Sequence, residues 1–381
     1  MRVGVNAFFL QQHTTGSGQY TAQLLRALRR INSNLQTILY STGQSDAGQD
    51  NDWMVQQTPA PFPRLGPNWQ KLWFEQVAFP RACRSAGVDI AHVPYFASPI
   101  ASSIPVVVTV HDLIPVLLPA YRGSLPVRLY TRLVSAAARR ASWIITDSHC
   151  SKQDIVQHLR VAPERVQVIY LAADELCRPV RDPDALAAIR HRYGLPQQYI
   201  LYLGGFDQRK NLRGLLLAFD RAQGLLGADC PKLVIAGSLP DEDSALFPDP
   251  RRIAGELGLQ GKVVFAGWVS EADKPALYSG ALFFAFLSLY EGFGLMALEA
   301  MSCGVPVLAS STSSLPEIVG TGGLLVRPDD PDQVAQSMAE LLRRPGLREQ
   351  LAEKALLRAG DFSWQRTAEQ TMEVYHRTAL R

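Results

Sequence analysis

Two glutamates eight positions apart, Glu291 and Glu299, are the side chains in this sequence best placed to do chemistry. The apolar run at 281–289 predicts a buried strand, or a short helix running into one, and helix-forming residues follow from Leu295. A strand, a glycine turn and a helix in that order form an anion site, because free amides and the positive end of the helix dipole face the ligand. The two carboxylates would repel an anion, so they suit hydroxyl groups on either side of it. This pattern indicates a nucleotide-sugar site.

Two adjacent cations form a second candidate cluster. Arg209 and Lys210 follow a predicted strand at 199–203 and a glycine-rich turn that contains Gly205. If a nucleoside diphosphate leaves from this site, fixed cations and backbone donors would stabilise its growing negative charge. The alternative interpretation is a pair of solvated surface cations.

A histidine and two glycines also stand at the ends of predicted strands. His111 lies near the end of the run 105–113, which predicts a buried parallel strand. Ligands of open parallel sheets bind at the carboxyl ends of the strands, so His111 is well placed to contact one. A lone histidine is more often structural, but this position favours a functional role. Gly16 and Gly18 follow the predicted strand at 2–10 and precede a predicted helix from about Gln19 to Arg30, and a glycine turn there would let a ligand approach the backbone.

Length and composition narrow the classes of protein. A chain of 381 residues with 47% apolar and 19% charged residues is typical of a globular protein of two domains. The sequence contains no run of about 20 apolar residues, so we expect no membrane-spanning helix. Residues 1–6 read as a strand and not as a signal peptide. The five cysteines lack metal-ligand spacing and are odd in number, which favours a reducing compartment, the cytoplasm.

Strand-like runs alternate with helical patterns along the whole chain. This alternation predicts an α/β protein with two Rossmann-like, doubly wound parallel sheets facing across a cleft. We place the N-terminal domain at 1–175 and the C-terminal domain at 185–362, with the linker near 172–185.

The stretch from Glu291 to Glu299 resembles the Glu-x7-Glu signature of retaining glycosyltransferases of family 4, group 1, which includes sucrose synthase and bacterial mannosyltransferases. The Gly-Phe-Gly-Leu sequence between the two acids and the segment 301–307 agree with that family. The resemblance covers essentially the whole chain and implies a GT-B fold. It also implies that a final helix at about 364–381 crosses back onto an N-terminal, acceptor-binding domain, whereas the C-terminal domain binds the nucleotide sugar.

The resemblance assigns roles to individual residues. Glu299 would bind the ribose hydroxyls, and Glu291 would bind hydroxyls of the transferred sugar. His111 would face the reacting centre, and it would form the catalytic set together with Glu291, Arg209 and Lys210. Trp268 and Val269 would contact the base. The other donor contacts implied are Gly16, Gly18, Gly205, Gly237, Lys274, Gly292, Phe293, Gly294 and Leu295.

The basic cluster departs from the family pattern at one position. Lys210 matches the family's lysine, but Gly205 stands where an arginine is usual, and Arg209 would supply the missing charge. No Asp-x-Asp sequence follows an apolar strand, so we expect no catalytic metal and no cofactor, with the cations taking the metal's place. No further carboxylate clearly belongs at the opposite face of the sugar. The resemblance therefore favours front-face attack with retention, in which the leaving phosphate accepts the acceptor's proton.

Several functions remain open at this stage. The segments 205–211 and 108–113 resemble the mannosyltransferase branch, which favours GDP-mannose as the donor, with UDP-glucose as an alternative. A nucleotide-sugar epimerase and a non-enzymatic nucleotide-sugar binder are alternatives of other classes. We expect a saccharide or lipid-linked acceptor and no nucleic-acid partner, and the oligomeric state stays open.

The N-terminal half carries a positive charge that indicates a membrane partner. Residues 1–180 contain 17 Lys+Arg against 11 Asp+Glu, a net charge of +6. A predicted helix at 129–140 combines apolar residues with arginines, which would suit reversible docking on an anionic bilayer. The alternative is that these arginines pair with carboxylates or lie in water. An aromatic segment at 69–79 predicts a helix whose rings either pack in the core or line an acceptor groove.

Overall fold

The computed structural model describes residues 1–10, 12, 15–42, 55–58, 66–227 and 230–380. These residues form two compact units, one of Met1–Leu171 with Ser363–Arg381 and the other of Ala172–Phe362. Each unit contains a single parallel sheet covered by helices. Among the residues described, no helix combines the length and the apolarity that crossing a membrane requires.

The sheet of the N-terminal unit has seven parallel strands in the order β3-β2-β1-β4-β5-β6-β7. The strands are β1 Arg2–Asn6, β2 Gln36–Ser41, β3 Val55–Gln57, β4 Ile90–Val93, β5 Val106–Thr109, β6 Trp143–Thr146 and β7 Val166–Val168. The edge strand β3 is missing from the sequence prediction because only one of its three residues is apolar. The helices of this unit are α1 Gly16–Ile31, α2 Pro67–Trp73, α3 Phe79–Ser85, α4 Ile114–Leu117, α5 Leu125–Ala138, α6 His149–Leu159 and α15 Trp364–Ala379. A π-helical turn, Phe74–Ala78, joins α2 to α3.

The sheet of the C-terminal unit has six parallel strands in the order β10-β9-β8-β11-β12-β13. The strands are β8 Tyr199–Leu203, β9 Lys232–Ala236, β10 Val263–Gly267, β11 Phe283–Phe286, β12 Val307–Ser310 and β13 Gly323–Val326. The helices are α7 Pro183–Tyr193, α8 Leu212–Leu226, α9 Pro250–Glu256, α10 Lys274–Ser279, α11 Leu295–Ser302, α12 Leu315–Val319, α13 Pro331–Arg343 and α14 Pro345–Ala359. The predicted fold class, two doubly wound parallel-sheet domains, is confirmed.

The central strands are buried along their whole length, as expected where helices cover both faces of a parallel sheet. All residues of β5 and β11 are buried, and Phe283, Phe284 and Phe286 of β11 are at most 1% exposed. Burial of these rings excludes water from both faces, so polar side chains collect where the strands end.

Two helices begin earlier than the sequence patterns predict. Helix α1 begins at Gly16 and not at Gln19, because Thr15 caps it by accepting a hydrogen bond from the amide of Gly18 at 3.2 Å. Gly16 and Gly18 therefore lie in the first helical turn and not in a loop before it. Helix α5 begins at Leu125, where the following proline suits the first turn.

Candidate functional site

The strand order reverses direction beside β8 and β11, which are neighbours in the C-terminal sheet. The chain leaves β8 toward β9 on one side and β11 toward β12 on the other. Ligands of open α/β sheets bind in the crevice at such a switch point, outside the carboxyl ends of the strands. Arg209 and Lys210 follow β8, and Glu291 follows β11, so the topology brings these three side chains together.

Glu291 forms ion pairs with both cations. Its Oε1 lies 2.6 Å from Nζ of Lys210, and its Oε2 accepts a hydrogen bond at 2.7 Å from the Arg209 guanidinium. Lys210 and Glu291 are each only 8% exposed, so the pair is largely out of water. Glu291 thus holds the two cations side by side at the carboxyl end of the sheet, where they could reach an anionic ligand.

Other groups fix the orientation of Arg209. Its Nε lies 3.0 Å from a carboxylate oxygen of Asp207, and its guanidinium also donates to the backbone carbonyl of Tyr290 at 3.1 Å. The amide of Leu289 donates to the Arg209 carbonyl at 2.7 Å, which ties the two loops together. Lys210 Nζ lies 5.0 Å from the centre of the Phe286 ring, a cation–π distance.

Electrostatics keep the Glu291 side chain ionised. Burial by itself would raise the pKa of Glu291, but the charges of Lys210 and Arg209 and the hydrogen bond from Lys210 outweigh it, and the pKa lies below the ordinary value. The carboxylate therefore acts as a hydrogen-bond acceptor at neutral pH, which is the property needed to bind a hydroxyl group.

Backbone contacts hold the turn after Glu291. The Glu291 amide donates to Oγ of Ser313 at 2.8 Å, and Oγ of Ser314 donates to the Phe293 carbonyl at 2.7 Å. Gly294 has φ 107°, and a Cβ on it would lie 2.6 Å from a Leu315 methyl group, so only glycine fits here. Leu295 then begins α11 directly after the turn.

Glu299 lies about one turn into α11. It is 4% exposed, and its Oε2 accepts a hydrogen bond from the Tyr278 hydroxyl at 3.0 Å. Lys274 Nζ lies 3.8 Å from the same oxygen and 2.7 Å from Glu271. Burial raises the pKa of Glu299, and the positive charge of Lys274 offsets that effect only in part.

The remaining predicted donor contacts of this unit surround the same strand ends. Gly205 follows β8, and Gly237 follows β9 and donates to the Gly267 carbonyl at 2.7 Å. Trp268 is 61% exposed, whereas Val269 is 3% exposed and packs in the core, so its side chain faces away from solvent. Whether any of these residues binds a base stays a prediction.

His111 lies two residues beyond β5 in the N-terminal unit. Its Nδ1 is 2.7 Å from Oδ2 of Asp147, and its Nε2 is 3.3 Å from the Pro94 carbonyl oxygen. The Tyr20 ring packs edge-on against the imidazole at a centroid distance of 4.9 Å. Asp147 is 2% exposed, and its other oxygen, Oδ1, has no hydrogen-bond partner among the described residues.

Both ring nitrogens of His111 face oxygen atoms that can only accept. A carboxylate and a carbonyl donate no proton, so both contacts are satisfied only when the ring is an imidazolium. Burial lowers the pKa of His111, but the charge of Asp147 and its hydrogen bond, with smaller contributions from Asp112 and the Pro94 carbonyl, give a net increase. This arrangement therefore favours the imidazolium form, in which His111 donates a hydrogen bond to each oxygen.

A second histidine behind His111 is neutral. His92 is fully buried, with Nδ1 2.6 Å from the Tyr375 hydroxyl and Nε2 3.0 Å from Oγ1 of Thr109. Burial and the neighbouring charge of His111 lower the pKa of His92 to about 3. The same Thr109 hydroxyl lies 3.2 Å from the Tyr20 hydroxyl, so one buried network connects α15 to the ring that packs on His111.

The sequence prediction misses three residues that orient the site: Asp147, Asp207 and Tyr278. Asp147 does carry a signal in the sequence, because it directly follows the strand β6, as His111 follows β5. The register that pairs Thr109 with Ile145 brings the residues after these two strands together. Tyr278 gives no such signal, since its role depends on how α10 packs beside α11. Among the described residues, no three His, Cys, Asp or Glu side chains could together hold a metal ion.

Comparison with known proteins identifies relatives of this sequence. Residues 188–358 match the family described as "Glycosyl transferases group 1", and residues 14–175 match "Glycosyltransferase Family 4". The chain is 34% identical over 270 residues to O-antigen chain mannosyltransferase B of Escherichia coli, covering 71% of this chain and 69% of that protein. It is 30% identical over 270 residues to the serotype-specific mannosyltransferase WbdA of the same species, but this match spans only 33% of that protein.

Solved structures with the same fold are more distant in sequence. Sucrose-phosphate synthase from Thermosynechococcus elongatus superposes with a TM-score of 0.78 at 21% identity, covering 99% of this chain and 98% of that chain. Anabaena Alr3699/HepE, in a complex with UDP and glucose, gives a TM-score of 0.74 at 19% identity, covering 99% of each chain. At these identities the likeness concerns the fold alone.

Proposed function

The chain belongs to glycosyltransferase family 4, group 1, and from that premise we propose that it transfers mannose from GDP-mannose to a saccharide or lipid-linked acceptor of a surface polysaccharide. The observation that carries the proposal is the Glu291 carboxylate held between Lys210 and Arg209 at the switch point of the C-terminal sheet. This cluster offers cations to a diphosphate and an ionised acceptor to a sugar hydroxyl. The mannosyltransferases among the relatives support the choice of sugar.

In the proposed reaction, the bond between the sugar and the diphosphate breaks with charge developing on the phosphate. Lys210 and Arg209 stabilise that charge, and the amides at the start of α11 add a second positive region. Glu299 binds the ribose hydroxyls. The acceptor hydroxyl attacks from the side on which the phosphate leaves, and the phosphate takes its proton, so the configuration of the sugar is retained.

In this proposal Nε2 of His111 donates a hydrogen bond to the donor sugar in place of its longer contact, 3.3 Å, with the Pro94 carbonyl, while Nδ1 keeps its bond to Asp147. Its contacts with Asp147 and the Pro94 carbonyl favour the imidazolium form, which fits a donor role better than that of a general base. We propose that the enzyme needs no metal ion, because Lys210 and Arg209 stabilise the negative charge of the leaving diphosphate. We therefore expect full activity in excess EDTA, and activity that is lost in EDTA and restored by Mg²⁺ or Mn²⁺ would contradict this part.

A thermal-shift panel of nucleotide sugars tests the donor. A ligand that binds only the folded state raises the melting temperature, and we expect GDP-mannose to raise it more than UDP-glucose does. The Glu299→Ala variant should lose most of this response, because buried ribose hydroxyls lose a charged acceptor worth about 1.5–3 kcal/mol. A larger response to UDP-glucose would overturn the mannose assignment.

Product analysis separates the enzyme from its alternatives. Incubation of GDP-mannose without acceptor should yield at most slow hydrolysis to GDP. Formation of an epimeric nucleotide sugar would instead show an epimerase, and the absence of GDP release even with acceptors present would show a binding protein.

A further inference from the structure

An apolar groove of about 760 Å³ lies between α2 and α5 in the N-terminal unit. Its walls are mainly aliphatic and include Trp69, Leu72, Leu125, Val127, Leu129 and Leu133. Several of these side chains are strongly exposed, with Trp69 at 63%, Leu125 at 68% and Leu129 at 55%. Exposed apolar side chains gathered on both walls of one groove mark a binding surface and not a folding core.

One end of the groove is polar. Lys71 and Tyr130 line it, and Lys71 Nζ lies 2.9 Å from the Tyr130 hydroxyl and 3.1 Å from a carboxylate oxygen of Glu75. The same ammonium lies 4.7–5.8 Å from the ring centres of Tyr130, Phe8, Phe9 and Tyr95. A cation is thus fixed among aromatic rings where the apolar walls end.

This polar end is connected to the loop that holds His111. Glu75 is fully buried and accepts hydrogen bonds from the hydroxyls of Tyr130 at 2.8 Å and of Tyr95 at 3.0 Å. Tyr95 follows Pro94, whose carbonyl oxygen is the contact of His111 Nε2. Hydrogen bonds therefore link the polar end of the groove to the carboxyl edge of the N-terminal sheet, where polar ligands of such folds bind.

The segment that forms one wall carries positive charge without acidic residues. Residues 113–146 contain five arginines and no Asp, Glu or Lys. The arginines are Arg122, Arg128, Arg132, Arg139 and Arg140, and no ion pair recorded among the described residues involves any of them. An anion near this segment would meet uncompensated charge.

The lining decides between a sugar and an aliphatic chain as the occupant. A saccharide needs hydrogen-bond partners along its length, and aliphatic walls supply none. Of the two tryptophans on α2, only Trp69 lines the groove. An aliphatic chain fills such walls without loss of hydrogen bonds, and a phosphate at its end would suit Lys71, the one cation in the lining among the described residues.

We propose that this groove binds the aliphatic chain of a lipid-phosphate acceptor, with the phosphate at the end marked by Lys71. This inference rests on the proposed function and narrows its acceptor to a saccharide, which supplies the attacking hydroxyl, carried through a phosphate on a single apolar chain. The groove binds the acceptor as an individual molecule, which differs from docking of the whole protein on a bilayer.

Calorimetric titration of the protein with farnesyl phosphate tests the proposal, with farnesol and inorganic phosphate as the chain-only and head-only ligands. We expect farnesyl phosphate to bind at least tenfold more tightly than either part. Leu129→Asp should weaken that binding at least tenfold, because it places a carboxylate on the apolar wall. Leu357→Asp is the matched control, since Leu357 is 77% exposed on α14 of the C-terminal unit. This variant should bind farnesyl phosphate as tightly as the wild type does.

Three outcomes would overturn the proposal: equal binding by the wild type and Leu129→Asp, inorganic phosphate binding as tightly as farnesyl phosphate, or binding to phosphatidylglycerol vesicles without binding to monomeric farnesyl phosphate. Val127→Asp repeats the test on a second side chain, 43% exposed, in case the first variant unfolds. The thermal response to GDP-mannose should stay unchanged in both groove variants. If GDP-mannose gave no thermal shift in the wild type, that result would count against the proposed donor. The farnesyl phosphate titrations would still test the groove independently.

Discussion

The Glu291 carboxylate is ion-paired with Lys210 and Arg209, the same two cations that would bind a diphosphate. Its contacts with Lys210 and Arg209 are 2.6 and 2.7 Å long and largely shielded from water. The charge on a leaving phosphate grows toward the transition state, whereas the charge on Glu291 stays constant. We therefore expect the cations to favour the transition state over the bound donor.

Lys210→Ala tests this expectation at one side chain. Loss of a fixed cation at the leaving group should lower kcat by about 100-fold and raise the donor KM much less. Steady-state kinetics measure both, and Lys262→Ala, an exposed lysine of the same unit, serves as the control. A change confined to KM would show that Lys210 binds the ground state and transition state equally.

The charge of His111 depends on Asp147. Because the pKa of His111 is raised in the fold, the ion pair stabilises the protein below the ordinary histidine pKa, and this contribution is lost as the pH rises through the raised value. A neutral partner at Asp147 would remove the largest of the effects that raise this pKa.

Asp147→Asn should therefore shift the alkaline limb of the kcat/KM profile to lower pH. Asp112→Asn should shift it less, because Asp112 contributes less to the raised pKa of His111. Histidine NMR titration gives the same comparison without turnover. An alkaline limb that stays in place in Asp147→Asn would mean that the protonation of His111 does not control the reaction.

Among the elements, the start of α1 is restricted by the backbone that precedes it. A Cβ on Gly18 would lie 2.3 Å from the Gln12 carbonyl oxygen and 2.6 Å from that of Phe9. A Cβ on Gly16, two residues earlier in the same turn, would meet no atom within 4 Å. Gly18 is therefore required for steric reasons and Gly16 is not, although the sequence analysis assigns both to the same glycine turn.

Gly18→Ala should destabilise the protein by about 1–3 kcal/mol, since the backbone must shift to admit the methyl group. Gly16→Ala is the matched control and should be neutral or slightly stabilising, because alanine restricts the unfolded chain. Urea unfolding followed by circular dichroism measures both. Equal free energies of unfolding in the two variants would show that the Phe9 and Gln12 carbonyls can move away from the new methyl group without destabilising the protein.

Helix α15 is a structural part of the N-terminal unit and not a tail. Ser363 caps it by accepting from the Arg366 amide at 3.2 Å, and Oγ1 of Thr367 donates to the Tyr170 carbonyl at 2.7 Å. Tyr375 then reaches the buried His92. The helix thereby supports the network behind His111 from the far end of the chain.

Across the whole molecule, the two halves of the chain differ in charge. Residues 1–180 carry a net charge of +6, against 21 Lys+Arg and 24 Asp+Glu in the remainder, a net charge of −3. The arginines of α5 form none of the ion pairs recorded among the described residues, so the structure gives no support to their pairing with carboxylates. Each cation near an anionic leaflet is worth about 1 kcal/mol.

Cosedimentation with phosphatidylglycerol vesicles should therefore be strong at low salt and fall steeply as ionic strength rises. The double variant Arg128→Glu, Arg132→Glu should bind less. Arg327→Glu, Arg344→Glu makes the same charge change on exposed residues of the C-terminal unit and should bind like the wild type. Equal recovery with neutral and anionic vesicles would exclude electrostatic docking.

The sequence by itself determined the fold class, because buried parallel strands appear as apolar runs that alternate with helical patterns. It also located the turn after Glu291, since glycines between a strand and a helix carry a local signal. The edge strand β3 and the first turn of α1 escaped prediction, because one depends on pairing with β2 and the other on a cap.

Only the tertiary structure decided which side chains meet. Glu291 and Lys210 are 81 positions apart, and Asp147 and His111 are 36 apart, so their contacts depend on strand order and register. The charge states of His111 and Glu291 follow from those contacts and from burial, which no local pattern records. The groove between α2 and α5 likewise exists because two helices distant in sequence pack side by side and leave apolar walls exposed.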